Sequence, residues 1–211
     1  MSPNERISSI DIDKTIKYFH EKIAQYGNTA RGMDYKDEKS QKIRFDQFYT
    51  LLKDSDNFSI NDLGCGYGAF YSYLKEKKKN FIYFGYDLFD EVLDLARKEH
   101  SSNRKFNVYK SKKLKKRDFT VAGAIFNNIL DNNKESWFAH ILETIEDMNI
   151  NSKRGFAFNM LTKYSDSEHM RDDLFYGDPL FFFDLCKKKY SRNVALLHDY
   201  GLYDFTIIVR K

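Results

Sequence analysis

One stretch limits what this chain can fold into more than any other: Phe58-Ser-Ile-Asn-Asp62-Leu-Gly64-Cys-Gly66-Tyr-Gly68-Ala69. It opens apolar, passes through an acid and meets a glycine at every second position, and a helix-like segment follows from Phe70 to Lys79. That order predicts a buried strand, a tight turn and a helix. Glycine is needed where a backbone bends sharply or must approach a ligand with no Cβ in the way. The helix that begins there points free N–H groups at whatever lies over the turn. Gly64-x-Gly66-x-x-Ala69 also fits the loose dinucleotide fingerprint, so the glycines alone do not choose between cofactor classes. Asp62 does. A carboxylate gains nothing beside two phosphates, whereas a cationic ligand benefits from it.

The sequence Asp62-Leu-Gly64-Cys-Gly66-Tyr-Gly68 closely resembles motif I of the class I S-adenosylmethionine (SAM)-dependent methyltransferases. In that family the acid and the glycine turn hold the methionine end and the ribose region of the cofactor. The resemblance therefore implies SAM as cofactor, with Asp62, Gly64, Cys65 and Gly66 in contact with it. A second acid fits the pattern. Phe81 to Tyr86 reads as a short apolar strand ending in Asp87, whose carboxylate can accept both hydroxyls of a ribose. The alternative is an acid capping the following helix, Asp90 to His100. Leu88 would flank the adenine, as in the family. Near Tyr109-Lys110-Ser111 the family usually places an adenine-contacting acid, and none is present here.

The chain has 211 residues, a length that suits one domain with a full core. No apolar run reaches membrane-spanning length, and the opening Met1-Ser-Pro-Asn-Glu5-Arg6 is not a signal peptide. Cys65 and Cys186 are the two cysteines, which form neither a disulfide framework nor a zinc pattern. No metal is expected, and a reducing cytoplasm is the economical location. Net charge is a mild +4, concentrated in the runs Lys75 to Lys79, Lys110 to Arg117 and Lys187 to Lys189. Such runs can contact nucleic acid or can be solvated helix ends and loops. The second reading is favoured in a Lys-rich chain.

The N-terminal part reads as a helix capped by Ser9 or Asp11 and running to Tyr26, with Ile12, Ile16, Phe19 and Ile23 on one face. Gly27 ends it. A polar link, Asn28 to Lys39, precedes a second helix from Ser40 to Lys53, with Ile43, Phe48, Leu51 and Leu52 facing inward. These fifty or so residues exceed what the core fold requires. In many small-molecule methyltransferases such a segment lies over the cofactor, so residues 1–56 are expected to form a helical lid and residues 57–211 the SAM-binding core. Tyr26-Gly27, Arg31-Gly32-x-Asp34 and Ser40-Gln41-x-x-Arg44-Phe45 look like the head of a bacterial methyltransferase group often found among surface-polysaccharide genes. Arg31 and Arg44 are candidates for gripping a carboxylate of the cofactor, since guanidinium offers a planar fork of donors. The bland alternative is a surface salt bridge.

Phe106 to Tyr109 reads as a third strand and Asp118 to Phe126 as a fourth, apolar on both faces as a central parallel strand should be. It ends at Asn127-Asn128, and Gly123 to Asn127 resembles the same bacterial group, which places Asn127 beside the cofactor. The Asn/Asp-Pro-Pro-Tyr motif of nucleic-acid amino methyltransferases is missing. A helix from Lys134 to Met148 and a fifth strand, Arg154 to Leu161, follow. The polar link Thr162 to Pro179 leaves the sheet on the cofactor side and is long for a compact domain. A helix, Phe181 to Lys189, leads to two strands, Asn193–His198 and Leu202–Val209, close enough to form an antiparallel hairpin. The expected fold is thus a Rossmann-like α/β sandwich of class I type, a mostly parallel seven-stranded sheet ending in an antiparallel hairpin.

Methyl transfer from a sulfonium mainly requires alignment, and a base only when the acceptor is a hydroxyl or a protonated amine. His198 and Asp178 are the named base candidates, with His169 and Asp199 behind them. The sequence therefore points to methylation of O or N on a small molecule, a sugar or nucleotide-linked sugar by resemblance, by a monomer or homodimer with no membrane or nucleic-acid partner. The alternatives are an RNA methyltransferase, resting on the basic runs, and a non-catalytic SAM-binding protein.

Overall fold

The computed structural model describes residues 10–101 and 103–211. Ser9, one of the two expected caps, lies outside the described residues. Asp11 takes the role instead, its carboxylate accepting from the amide of Lys14 at the start of α1 (Ile12–Tyr26), and Gly27 closes that helix. The remaining helices are α2 (Glu38–Leu52), α3 (Ala69–Glu76), α4 (Asp90–His100), α5 (Lys134–Ile150) and α6 (Pro179–Lys189). The strands are β1 (Phe58–Leu63), β2 (Phe81–Asp87), β3 (Phe106–Lys110), β4 (Arg117–Ala122), β5 (Ser152–Leu161), β6 (Asn193–Leu197) and β7 (Asp204–Arg210).

The seven strands form one sheet in the order β3-β2-β1-β4-β5-β7-β6. The first five are parallel, and β7 inserts antiparallel between β5 and β6. This is the architecture expected from the sequence, hairpin included. Successive strand residues point to opposite faces, so the central strands feed two cores. Phe156 and Phe158 of β5, with Ile207 and Val209 of β7, meet Trp137, Ile141 and Ile145 of α5 and Phe182 of α6. Ala157 and Ile208, between them in sequence, face the other side. There Ile60, Val121, Phe70 and Leu74 pack with α2 and α3.

Two departures have identifiable causes. The fourth strand stops at Ala122 instead of running to Phe126, because Ala124 adopts a left-handed φ of 59° and its amide donates to Asn159 Oδ1 at 2.8 Å. The chain leaves the sheet there and opens a gap above the strand tips. The crossover from β3 to β4 is a loop, as the sequence suggests. Ser111 to Lys116 forms no regular element and bends at Lys112, held by buried Leu114 and by Asn61 Nδ2 donating to the carbonyl of Lys115 at 2.8 Å. The boundary expected at residue 56 is not a boundary in the packing. Phe45, Phe48, Leu51 and Leu52 of α2 belong to the core cluster with β1, β4 and α3, whereas α1 has no buried residue. α1 and the short 3-10 turn Arg31–Met33 lie outside the sandwich proper.

Phe48 is 1% exposed and its ring meets Phe70 at 6.0 Å between centroids. Phe48→Ala is expected to cost about 3–5 kcal/mol by removing a buried aromatic ring and leaving a cavity. Urea denaturation should show this as a lower midpoint with an unchanged slope. A loss under about 1 kcal/mol would mean that α2 is detachable after all.

Candidate functional site

The glycine turn sits at the tip of β1 and is locked onto β2. The amides of Gly64 and Cys65 both donate to the carbonyl of Tyr86, at 2.8 and 3.2 Å, and the amide of Gly66 donates to Asp87 Oδ2 at 2.8 Å. Gly64 and Gly66 have φ of 75° and 50°, which other residues rarely adopt. Space imposes the same choice. A Cβ on Gly64 would lie 2.2 Å from Ile125 Cγ2, and one on Gly66 would lie 2.6 Å from Met33 Sδ. The turn is therefore a bare backbone surface facing the walls of a crevice.

That crevice is a cavity of about 860 Å³ over the C-terminal tips of β1, β2 and β4, within the roughly 300–1,000 Å³ of small-molecule sites. Asp62, Gly64, Cys65, Gly66, Asp87 and Leu88 all line it, and so do Asn127, Arg31 and Arg44. Asp87 is buried and already engaged. Its Oδ1 accepts from the amides of Leu88 (2.7 Å) and Phe89 (3.3 Å), and its Oδ2 holds the turn. Burial pushes its carboxyl upward, and these three amides oppose the shift. Asp62 is buried too and accepts a short hydrogen bond from the Tyr83 hydroxyl. Burial pushes its carboxyl up to about 7. The Tyr83 hydrogen bond works against that rise and the negative charge of Asp87 adds to it. The Cys65 thiol is buried beside Gly85, where burial holds it protonated.

Other expectations are redistributed. Arg44 is not free to grip a ligand with its whole fork, because its Nη2 donates to Asp204, fully buried at the start of β7, and its Nη1 to the carbonyl of Ser40 at 3.0 Å. The surface salt bridge considered for it is in fact a buried one. Arg31 keeps its guanidinium exposed, with one long hydrogen bond of 3.4 Å to the carbonyl of Lys36. Asn127 spends its Oδ1 on the amide of Leu161 at 3.1 Å and so ties the β4 exit to the end of β5. The two base candidates do not reach the cavity wall. Asp178 caps α6 through the amides of Leu180 and Phe181 and pairs with Lys163 at 2.7 Å. His198 is exposed at the end of β6 with its ring 6.0 Å from Tyr164. His169 lies against Tyr203 instead, at 5.9 Å.

Several wall residues escaped sequence reasoning. Ser111 to Lys113 face His140, Glu143 and Asp147 of α5 across one end of the cavity. Tyr35 also lines the cavity, beside the β4 exit. The signal that was available is α1. Its apolar stripe was legible, and Ile12, Ile16 and Phe19 line the cavity, with the Phe19 ring also 5.4 Å from that of Phe89. Polar contacts pin the helix across the opening. The amide of Asp11 donates to Asn132 at 2.9 Å, His20 meets Glu91 at 2.9 Å, and Tyr18 and Lys22 both hold Asp34 at 2.8 Å. Among the described residues no cluster of His, Cys, Asp or Glu is placed to hold a metal, and no helix is long and apolar enough to cross a membrane.

The comparisons agree with this fold. No family model matches the chain. The Mycobacterium tuberculosis protein Rv1506c, which carries a provisional methyltransferase name, is 48% identical over 163 residues, covering 76% of this chain and 98% of the relative. Among solved structures, the N-methyltransferase NodS of Bradyrhizobium japonicum with S-adenosylhomocysteine (SAH) gives a TM-score of 0.66 at 11% identity, covering 93% of this chain and 98% of that one. Magnesium protoporphyrin IX methyltransferase of Synechocystis with bound SAM gives 0.57 at 13% identity, with 98% and 88% covered. At these identities the structural likeness concerns the fold.

The shifted carboxyl of Asp62 has a consequence for stability. The folded protein holds this proton up to about pH 7, while the unfolded chain releases it near 3.8. The folded state thus binds more protons across that window, and the Asp62 contribution falls as pH rises through it. Asp62→Asn should therefore melt at a higher temperature than the parent above about pH 7, with a flatter profile between about pH 4 and 7. Parallel profiles for the two proteins would show that Asp62 ionises normally.

Proposed function

The chain belongs to the methyltransferase family of its Mycobacterium tuberculosis relative and has the class I SAM-dependent fold, and from that premise we propose that it methylates an oxygen or nitrogen of a small molecule with SAM held over the glycine turn. The observation that carries the proposal is the pair of buried carboxylates, Asp62 and Asp87, on either side of a turn where any Cβ would collide with the cavity walls. A cationic nucleoside fits that set: a backbone cradle for close approach, one acid for an ammonium group and one for a ribose.

Bound there, SAM supplies an electrophilic methyl group for in-line displacement. The chain's own residues bind and align. Asp87 accepts from the ribose hydroxyls with the lone pairs its three amides leave over, and Leu88 flanks the adenine. Asp62 in its ionised form receives the ammonium of the methionine end, and Arg31 is the guanidinium left to meet the carboxylate. Arg44, paired with Asp204, forms part of the wall. The apolar face of α1 roofs the site, which excludes water and strengthens every polar contact beneath it. No base is drawn from His198 or Asp178, which serve the surface and the α6 cap.

The enclosed roof favours a small acceptor over RNA. The basic runs point the same way, since members of each are paired locally: Lys77 with Asp46, Lys110 with Asp90, and Lys189 with Glu146. The sugar or nucleotide-linked sugar class rests on the resemblance of the chain's head and of Gly123 to Asn127 to the bacterial polysaccharide-linked group.

Asp87→Asn keeps an acceptor for the turn but loses the charge, and it should weaken SAM binding by about 1.5–3 kcal/mol in calorimetry. Unchanged affinity would remove the ribose assignment. SAM affinity of the parent protein should also rise with pH as Asp62 ionises near 7, a dependence that Asp62→Asn abolishes. A screen of sugar nucleotides with tritiated SAM identifies the acceptor. SAM bound tightly but never turned over with any acceptor would favour a non-catalytic role, and steeply salt-dependent RNA binding would favour the RNA reading.

A further inference from the structure

Tyr35 follows the 3-10 turn that links α1 to α2, and its amide donates to the carbonyl of Ala30 at 2.9 Å. Its ring lies under the Arg44 guanidinium at 5.3 Å, and Arg44 is itself fixed by Asp204 and by the carbonyl of Ser40. Two elements of the core therefore hold this ring. Its hydroxyl reaches the β4 exit, 3.3 Å from the position a Cβ on Gly123 would take, and it lines the cavity. The other tyrosines that hold acids in or beside the cavity have partners: Tyr83 holds Asp62, and Tyr18 holds Asp34. Among the described residues the Tyr35 hydroxyl makes no hydrogen bond. A half-buried phenol fixed so firmly, with its polar end unpaired in a cavity, is set up to meet a ligand atom.

Its position indicates which atom. Asp87, on the β2 side of the turn, faces the ribose, so the methionine end extends across β1 toward β4. Asp62 stands on that side and attracts the ammonium, leaving the carboxylate of the same amino-acid group to be met by donors. We propose that the Tyr35 hydroxyl donates a hydrogen bond to the α-carboxylate of the cofactor and, with Arg31, selects an intact amino-acid end. The assignment rests on the reading of the cavity as a SAM site. Burial and the nearby acids Asp62 and Asp204 keep this phenol protonated despite Arg44, so it can act only as a donor toward an anion.

The test is calorimetry of the parent protein and Tyr35→Phe with two probes, SAH and 5′-methylthioadenosine, which has the nucleoside and the sulfur but lacks the amino-acid end. The variant should bind SAH about 10-fold or more weakly, the loss of one hydrogen bond to a charged group. Its affinity for methylthioadenosine should stay within about twofold of the parent's, because no contact to that ligand is removed. Undiminished SAH binding overturns the assignment. An equal loss on both probes also overturns it, since it would mark a distorted cavity. If the parent protein binds neither probe, the SAM reading itself fails, which is a separate outcome from a parent that binds both and a variant that behaves like it.

Discussion

The clasp between the β1 and β2 tips is the interaction on which the rest of the site depends. One carboxylate, Asp87, accepts three backbone amides, one from the glycine turn and two from the start of α4. The carbonyl of Tyr86 takes two more amides from the turn. A loop built of glycines has the most conformational freedom to lose on folding. Three hydrogen bonds to a neighbouring strand supply the restraint that its own side chains do not. The same clasp places two acids on either side of a bare backbone, each in a setting where burial makes its charge costly.

A second constraint comes from the early end of β4. When Ala124 turns left-handed and gives its amide to Asn159, the chain steps off the sheet and leaves room above the strand tips. Asn127 then fastens this exit to Leu161, and its carbonyl receives the amide of Phe175 at 2.7 Å. The long link after β5 is thereby stitched to the cavity rim. The roof is α1, which contributes no buried residue to the core and lies over the opening with its apolar stripe inward. Its anchors are polar, and those of Asp11 and His20 are exposed and worth little in water. The roof is thus the least firmly held part of the site, as access for a ligand requires.

Much of this was legible in the residues. The seven strands, the hairpin, the glycine turn and both acids follow from hydrophobic period and turn chemistry, which are local. What was not legible involved partners distant in sequence. Arg44 reads as a free cation until Asp204, 160 residues later, is folded against it. Asp178 reads as a base, yet it sits one residue before the proline that opens α6 and so caps that helix. Cap geometry was visible there, since an Asp before Pro at a helix start is a strong local signal. The group of α5 side chains facing Ser111 to Lys113 had no local signal at all, because it exists only where the β3–β4 crossover runs without a helix.

The sequence by itself determined the order of elements, the sharp turn after β1 and the acids at two strand tips. Backbone freedom at glycine and the two-residue period of strands act within a few residues, so they can be read without a fold. The tertiary structure alone decided which charges are paired, where β4 ends, which helix is core and which is roof, and that Tyr35 reaches the cavity unpaired. Those outcomes depend on distances between segments far apart in the chain, and on the cost of leaving a polar group buried without a partner.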